Sequence, residues 1–249
     1  MIDLHLIGIG TGNPDHLTGE ARRAIAQADL FLVPHKGDGK SDLADLRTGI
    51  IQTVRTDATV AVFDMPVRDD TLPYLARVDA WHDEIARIWA HTMAAHPDAR
   101  NIALLVWGDP SLYDSTLRIA ERVARNLPMQ IHVIPGITAI QALTAGHAIP
   151  LNRINAPVTI TTGRQIRDHG WPEAADSVVV MLDGDCSFRS LDPTGLHIWW
   201  SANAGMAEEI TLSGPLSDIA AEIVETRAKA RAAHGWIMDI YLLRRPSPA

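Results

Sequence analysis

The sequence is short of the residues that staple a chain, cross a membrane or neutralise acid. It has one cysteine, Cys186, in 249 residues, which excludes an internal disulfide framework. Placed just after a strand, Cys186 reads as a small packing residue rather than a nucleophile. No apolar run approaches the length of a membrane span, and no basic segment followed by an apolar stretch opens the chain as a secretory signal would. A cytoplasmic protein with no membrane partner is therefore expected. Basic residues are outnumbered, 22 Lys and Arg against 30 Asp and Glu, for a net charge of −8 at pH 7. Such a chain lacks the basic footprint of non-specific nucleic-acid binding, and no aromatic–basic groove for single strands is evident.

Several chemical motifs are missing too. Eleven histidines are present, yet no His-Glu-x-x-His occurs, and His82, His91 and His96 lack ligand-like spacing with acidic partners, so no metal site is expected. Gly39-Lys40-Ser41 ends like a phosphate loop, but the glycine required five positions earlier is Pro34. The dinucleotide fingerprint Gly-x-Gly-x-x-Gly fails after Gly12, where Asn13 stands, and the acid expected at the end of the second strand is missing, because Asp29 precedes that strand. No internal repeat or low-complexity tract is visible.

What remains is an alternation of strands and helices. Leu4, Leu6, Ile7 and Ile9 form a short apolar run, followed by Gly8, Gly10 and Gly12 at alternate positions and a helix start with Thr18 as N-cap and Glu20 in the first turn. Further strands are expected at Asp29–Val33, Thr59–Phe63, Asn101–Trp107 and Gln130–Ile134. Helices are expected at 18–27, 42–51, 71–96 and 115–126, and in the segment that ends at Gly146. Pro150 and Pro157 bracket a polar connection. Beyond it strands at Val158–Thr162, Ser177–Leu182, Leu196–Trp200, Glu208–Leu212 and Trp236–Leu243 outnumber the one clear helix, Ser217–Ala233. The reading is an α/β protein of two domains. A parallel-sheet α/β domain spans 1–149, and an α+β domain with a mixed sheet spans 150–249.

Three strands of the first half run into glycine-bearing turns: Gly8–Gly12, Gly108–Pro110 and Pro135–Ala139. In a parallel sheet these turns share the carboxyl edge, where such folds bind ligands. Asp109 and Thr138 are equally suited to capping the helices that follow.

The set Ile7-Gly-Ile-Gly-Thr-Gly-Asn-Pro-Asp-His-Leu-Thr18, Trp107-Gly-Asp-Pro-Ser-Leu-Tyr113 and Pro135-Gly-Ile-Thr-Ala139, in that order and spacing, resembles the tetrapyrrole methylases that use S-adenosylmethionine. The Val179–Gly184 strand end and the 203–214 stretch extend the likeness into the second half. Thr11 replaces the family's usual proline. Trp107, the His35–Leu43 loop and Met181-Leu-Asp-Gly-Asp185 point to the branch that methylates C-1 of precorrin-5 and releases acetate in aerobic cobalamin synthesis. The alternatives are a methylase acting at another corrin carbon (C-11 or C-17) and a non-catalytic tetrapyrrole-binding protein.

The resemblance implies a two-domain tetrapyrrole methylase fold with a cofactor trough between the domains. It also implies S-adenosyl-L-methionine as cofactor, S-adenosyl-L-homocysteine as product, and a homodimer. Cofactor contacts carried over are Gly10, Thr11, Trp107, Gly108, Asp109, Leu112, Thr138, Ala139, Leu182, Asp183 and Ala204; those at Thr11, Asp183 and Ala204 depart from the family's residue types. A substrate rich in carboxylates asks for a basic rim, for which Lys36, Lys40, Arg118, Arg153 and Arg164 are candidates. Methyl transfer needs no protein nucleophile, because the sulfonium is already activated. Loss of the acetyl group needs water and a base or oxyanion donor; His35 and Tyr113 are the candidates, with nothing in the sequence to choose between them.

Overall fold

The computed structural model describes residues 1–35, 42–235 and 237–246. They fall into two compact units, Met1–Thr138 and Ala139–Ala249. The division comes before the expected 149/150 because helix α5 (Ala139–Gly146) packs on strands of the second sheet.

In the first unit β1 (Ile2–Gly8), β2 (Leu30–His35), β3 (Val60–Asp64), β4 (Asn101–Val106) and β5 (Met129–Ile134) form a sheet in the order β3-β2-β4-β1-β5. Every pairing in it is parallel. Parallel sheets are covered on both faces, so their strands are apolar at consecutive positions. Leu4, Leu6, Leu30, Leu32, Ile102 and Leu104 face one core together with α3 (Tyr74–Ala94) and α4 (Thr116–Ala124), which supply Ile85, Trp89, Met93, Ile119 and Val123. The alternate residues Ile7, Ile9, Phe31, Val33, Ala103 and Leu105 face a second core with α1 (Gly19–Gln27) and α2 (Asp42–Val54). Thr18 caps α1 as the sequence indicates, its Oγ1 accepting from Ala21 N at 3.0 Å.

In the second unit β6 (Val158–Thr162), β7 (Ser177–Met181), β8 (His197–Ala202), β9 (Ile210–Pro215) and β10 (Asp239–Arg244) lie in the order β6-β7-β10-β8-β9. Only β6 and β7 pair in parallel, so the sheet is mixed. Helices α6 (Gly163–His169) and α7 (Leu216–His234) flank a core built on Val178, Val180, Ile198, Trp200, Tyr241 and Leu243. The sequence pattern missed α6, a seven-residue helix whose apolar signal is Ile166. β9 starts two residues later than the periodicity predicts, and the last strand starts at Asp239; Trp236, expected to open it, lies outside the described residues.

Candidate functional site

The three glycine turns of the first unit follow β1, β4 and β5, three adjacent strands, and meet at the carboxyl edge. They touch backbone to backbone. Gly10 N donates to Gly108 O at 3.3 Å and Gly108 N to Gly10 O at 2.7 Å, a short antiparallel bridge between the first two turns. A Cβ on Gly136 would lie 2.0 Å from Gly108 O, and one on Gly8 would lie 2.6 Å from Gly136 N. Glycine at these positions is therefore a packing requirement. At Gly108 the situation is opposite: φ is +67° and nothing lies within 4 Å of where a Cβ would be, so its backbone is open to approach.

The side chains around these turns brace them. Asp109 Oδ2 accepts from Gly136 N at 2.9 Å, tying the second turn to the third, and Oδ1 accepts from Ser111 N at 2.8 Å. Burial opposes ionisation of Asp109, but the hydrogen bonds from Ser111 and Gly136 outweigh it and hold its pKa below the ordinary carboxylate value. Buried Thr11 shares a 2.9 Å hydrogen bond with His16 Nδ1. The Trp107 indole lies against Gly12, where a Cβ would be 2.5 Å from the ring. Leu112 N donates to Asp109 O at 3.2 Å, and Tyr113 follows in the left-handed region at φ +49°. Partial burial pushes the Tyr113 phenol up, away from any role as a base near neutral pH. Thr138 ends the first unit and Ala139 opens α5.

Between β2 and β4 the same edge comes apart. Their pairing covers Leu30↔Ile102 and Phe31↔Ala103, whereas β2 follows β3 as far as His35↔Asp64 and β4 follows β1 as far as Val106. β2 leads to a helix on one face and β4 to a helix on the other. That is a topological switch point, the place where open α/β sheets bind ligands. Arg47 of α2 reaches into the gap, Nε donating to Leu105 O at 3.0 Å, a carbonyl to which β2 is not paired. Burial pulls the Arg47 guanidinium down, with Asp114 opposing. On the β2 side His35 Nδ1 bonds Asp64 Oδ1 at 3.1 Å. Sequence reasoning missed Arg47 and Asp64, which are ordinary helix and strand-end residues until the sheet is assembled.

In the second unit the carboxyl ends of β6, β7 and β8 share one edge, since β10 runs antiparallel to both β7 and β8. Leu182 (φ +52°, 66% exposed) and Asn203 (φ +50°) take left-handed backbone there, and Ala204 is buried beside the latter. Asp183 is buried and its carboxylate is fully engaged. It accepts from Ser187 N (2.6 Å), Ser187 Oγ (2.8 Å), Asp185 N (3.0 Å) and Tyr241 Oη (2.7 Å). Its backbone O accepts from Arg227 Nη2 at 2.8 Å, while Arg227 Nε and Trp200 Nε1 donate to Asp239 at 2.8 and 3.1 Å. Burial pulls Arg227 down, but its pairing with Asp239 more than restores it; burial and Asp183 push the Tyr241 phenol well up. What the Leu182–Asp183 turn offers outward is backbone and the Leu182 side chain.

The basic candidates separate. Lys36 and Lys40 lie outside the described residues. Arg118 is exposed near the start of α4, donating to Asp114 O at 2.8 Å. Arg153 is committed to Asp176 at 2.7 Å and to Arg245 O, a brace within its own unit. Arg164 opens α6, beside Gly163, where a Cβ would lie 2.4 Å from Asp183. A hollow lined by His5, Glu20, Arg23, Asn101 and His132 lies beside the amino-terminal half of β1 and includes none of these residues.

Residues 3–220 match the model of the tetrapyrrole (corrin/porphyrin) methylases. The chain belongs to this family. The methylase is 45% identical over 246 residues, 96% of this chain and 94% of the relative, to precorrin-6A synthase (deacetylating) from Sinorhizobium sp. It is 31% identical over 191 residues, 71% of each chain, to precorrin-2 C(20)-methyltransferase from the same source. Among solved structures, a cobalamin synthesis related protein from Corynebacterium diphtheriae superposes with a TM-score of 0.85 at 38% identity, covering 98% of this chain and 99% of that one. The uroporphyrin-III C-methyl transferase of Thermus thermophilus, solved with S-adenosylhomocysteine, shares the fold at a TM-score of 0.60 and 18% identity, covering 97% and 92%. The two-domain methylase fold and a methyltransferase activity follow from membership.

Proposed function

We propose that this methylase is a precorrin-6A synthase (deacetylating). It would transfer a methyl group from S-adenosylmethionine to C-1 of precorrin-5 and release the acetyl group as acetate in cobalamin biosynthesis. The observation that carries the reading is the near full-length 45% identity to an enzyme of that name, joined to a sheet edge whose backbone is open at Gly108.

The residues fit the cofactor. A zwitterionic, adenine-bearing ligand needs close backbone approach and small residues, and Gly10, Thr11, Trp107, Gly108, Asp109, Leu112 and Thr138 supply these at the first sheet's edge. Ala139 in α5 and Leu182, Asp183 and Ala204 at the second sheet's edge are proposed contacts by their family positions. For Asp183 the contact is through its backbone, its carboxylate being spent on Ser187, Asp185 and Tyr241. When bound, S-adenosylmethionine supplies an activated methyl group. The chain's part is to orient it and to exclude water from the transfer. Arg118, Arg164, Lys36 and Lys40 are proposed for the substrate carboxylates, and Arg153 contributes less because Asp176 holds it. A cytoplasmic homodimer is proposed on family likeness; no helix among the described residues is long and apolar enough to cross a membrane.

The test is anaerobic incubation with precorrin-5 and methyl-labelled S-adenosylmethionine, read by mass spectrometry and an acetate assay. Label in the tetrapyrrole with one acetate per methyl is expected. Label without acetate would move the enzyme to another corrin carbon. Pigment bound with no transfer would make it a carrier.

A further inference from the structure

We propose that His35, oriented by Asp64, is the general base that activates water for removal of the acetyl group. The proposal rests on the deacetylating reading above and goes beyond it by assigning the hydrolytic half of the reaction to a place in the sheet.

Three observations carry it. First, His35 and Asp64 are register partners at the carboxyl ends of β2 and β3, and Nδ1 meets Oδ1 at 3.1 Å. A carboxylate only accepts, so Nδ1 carries the proton and Nε2 is the basic nitrogen. A base oriented by a third group is the arrangement that activates a hydroxyl or water. Second, His35 ends β2, which borders the gap where β2 leaves β4, a switch point of the sheet, while Asp64 on β3 holds it from the far side. The Gly108 turn follows β4, the strand across that gap from β2. Third, the Arg47 guanidinium occupies the same gap at Leu105 O. A cation there favours negative charge developing on an acetyl oxygen. Tyr113, the other candidate, has its phenol pushed up and serves poorly as a base.

The chemistry balances without an oxidant or reductant. Water adds to the acetyl carbonyl carbon while His35 Nε2 takes its proton. The tetrahedral adduct collapses, the bond between acetyl carbon and ring carbon breaks, and its electron pair returns to the macrocycle. Acetate leaves, and the net proton passes from His35 to solvent. The pair that acetate leaves on the macrocycle matches the pair the macrocycle gives to the methyl group, so the two halves balance in either order.

The experiment measures methyl transfer and acetate release separately in the same anaerobic turnover for wild type, His35→Gln and Asp64→Asn. In His35→Gln, acetate release is expected to fall about 100-fold and to recover in part when free imidazole is added. Unchanged S-adenosylhomocysteine binding shows the variant is folded. Asp64→Asn should slow acetate release about tenfold and, in a two-bond ¹⁵N spectrum of the histidines, move the His35 proton off Nδ1. Acetate at the wild-type rate in His35→Gln overturns the assignment and leaves the proposed function standing. Loss of acetate release that free imidazole does not restore, with cofactor binding intact, overturns it too, because His35 would then serve a structural role. A wild-type enzyme that methylates without releasing acetate overturns the deacetylating reading itself and the base with it.

Discussion

The two sheets bring their turns to an edge by different means. In the first unit the turns after β1, β4 and β5 are held by backbone packed on backbone. Gly8 and Gly136 have no room for a side chain where they meet each other and Gly108 O, and one carboxylate, Asp109, ties the second turn to the third. In the second unit the turns after β7 and β8 are held by a buried polar network, in which Asp183, Arg227, Asp239, Tyr241 and Trp200 satisfy one another. Backbone contact leaves an edge with few protruding groups, suited to close approach by a ligand. A side-chain network holds strained backbone, such as Leu182 at φ +52°, at the cost of burying charge. The positive φ values at Leu182 and Asn203 persist only because the surrounding bonds over-determine them.

The contrast can be broken from either side. Arg227→Met leaves Asp239 buried without its cation and should cost about 3–5 kcal/mol in denaturant unfolding, the largest single effect. Gly136→Ala forces a Cβ against Gly108 O and should cost about 1–3 kcal/mol, with the loss of stability confined to the first unit in amide exchange. Asp109→Asn sets an amide N–H₂ against the Gly136 or Ser111 donors and should cost about 1–3 kcal/mol near pH 7. The pH dependence has a definite sign. The folded-state pKa of Asp109 is depressed, so its contribution is complete above the ordinary carboxylate pKa of about 4. It is lost as pH falls from there through the folded value. The gap between wild type and Asp109→Asn should therefore narrow below about pH 4 in an acid-unfolding series.

The same contrast accounts for what could be read in the sequence. The glycine turns are local, and their spacing after apolar runs indicates the parallel sheet and the edge proposed for the ligand; Thr18 as a cap is local in the same sense. The network around Asp183 is not. Tyr241 and Arg227 lie 58 and 44 positions from Asp183 in sequence, and nothing in their neighbourhoods marks them as partners. Arg47 gains its role only because β2 stops pairing with β4 after Phe31. Asp64 gains its role from register with His35, and α6 from packing that one buried isoleucine scarcely signals in sequence.

The smallest expected effect on stability belongs to the substitution that bears most directly on the proposed cofactor edge. Gly108→Ala meets no atom within 4 Å and pays only for left-handed backbone, about 1–2 kcal/mol. Its methyl group would occupy the side proposed for the cofactor's approach. Calorimetric titration of S-adenosylhomocysteine into wild type and into folded Gly108→Ala is the measurement to make. Binding by wild type and at least tenfold weaker binding by the variant is the predicted result; equal affinity in the two would contradict a cofactor site built on the backbone of these turns.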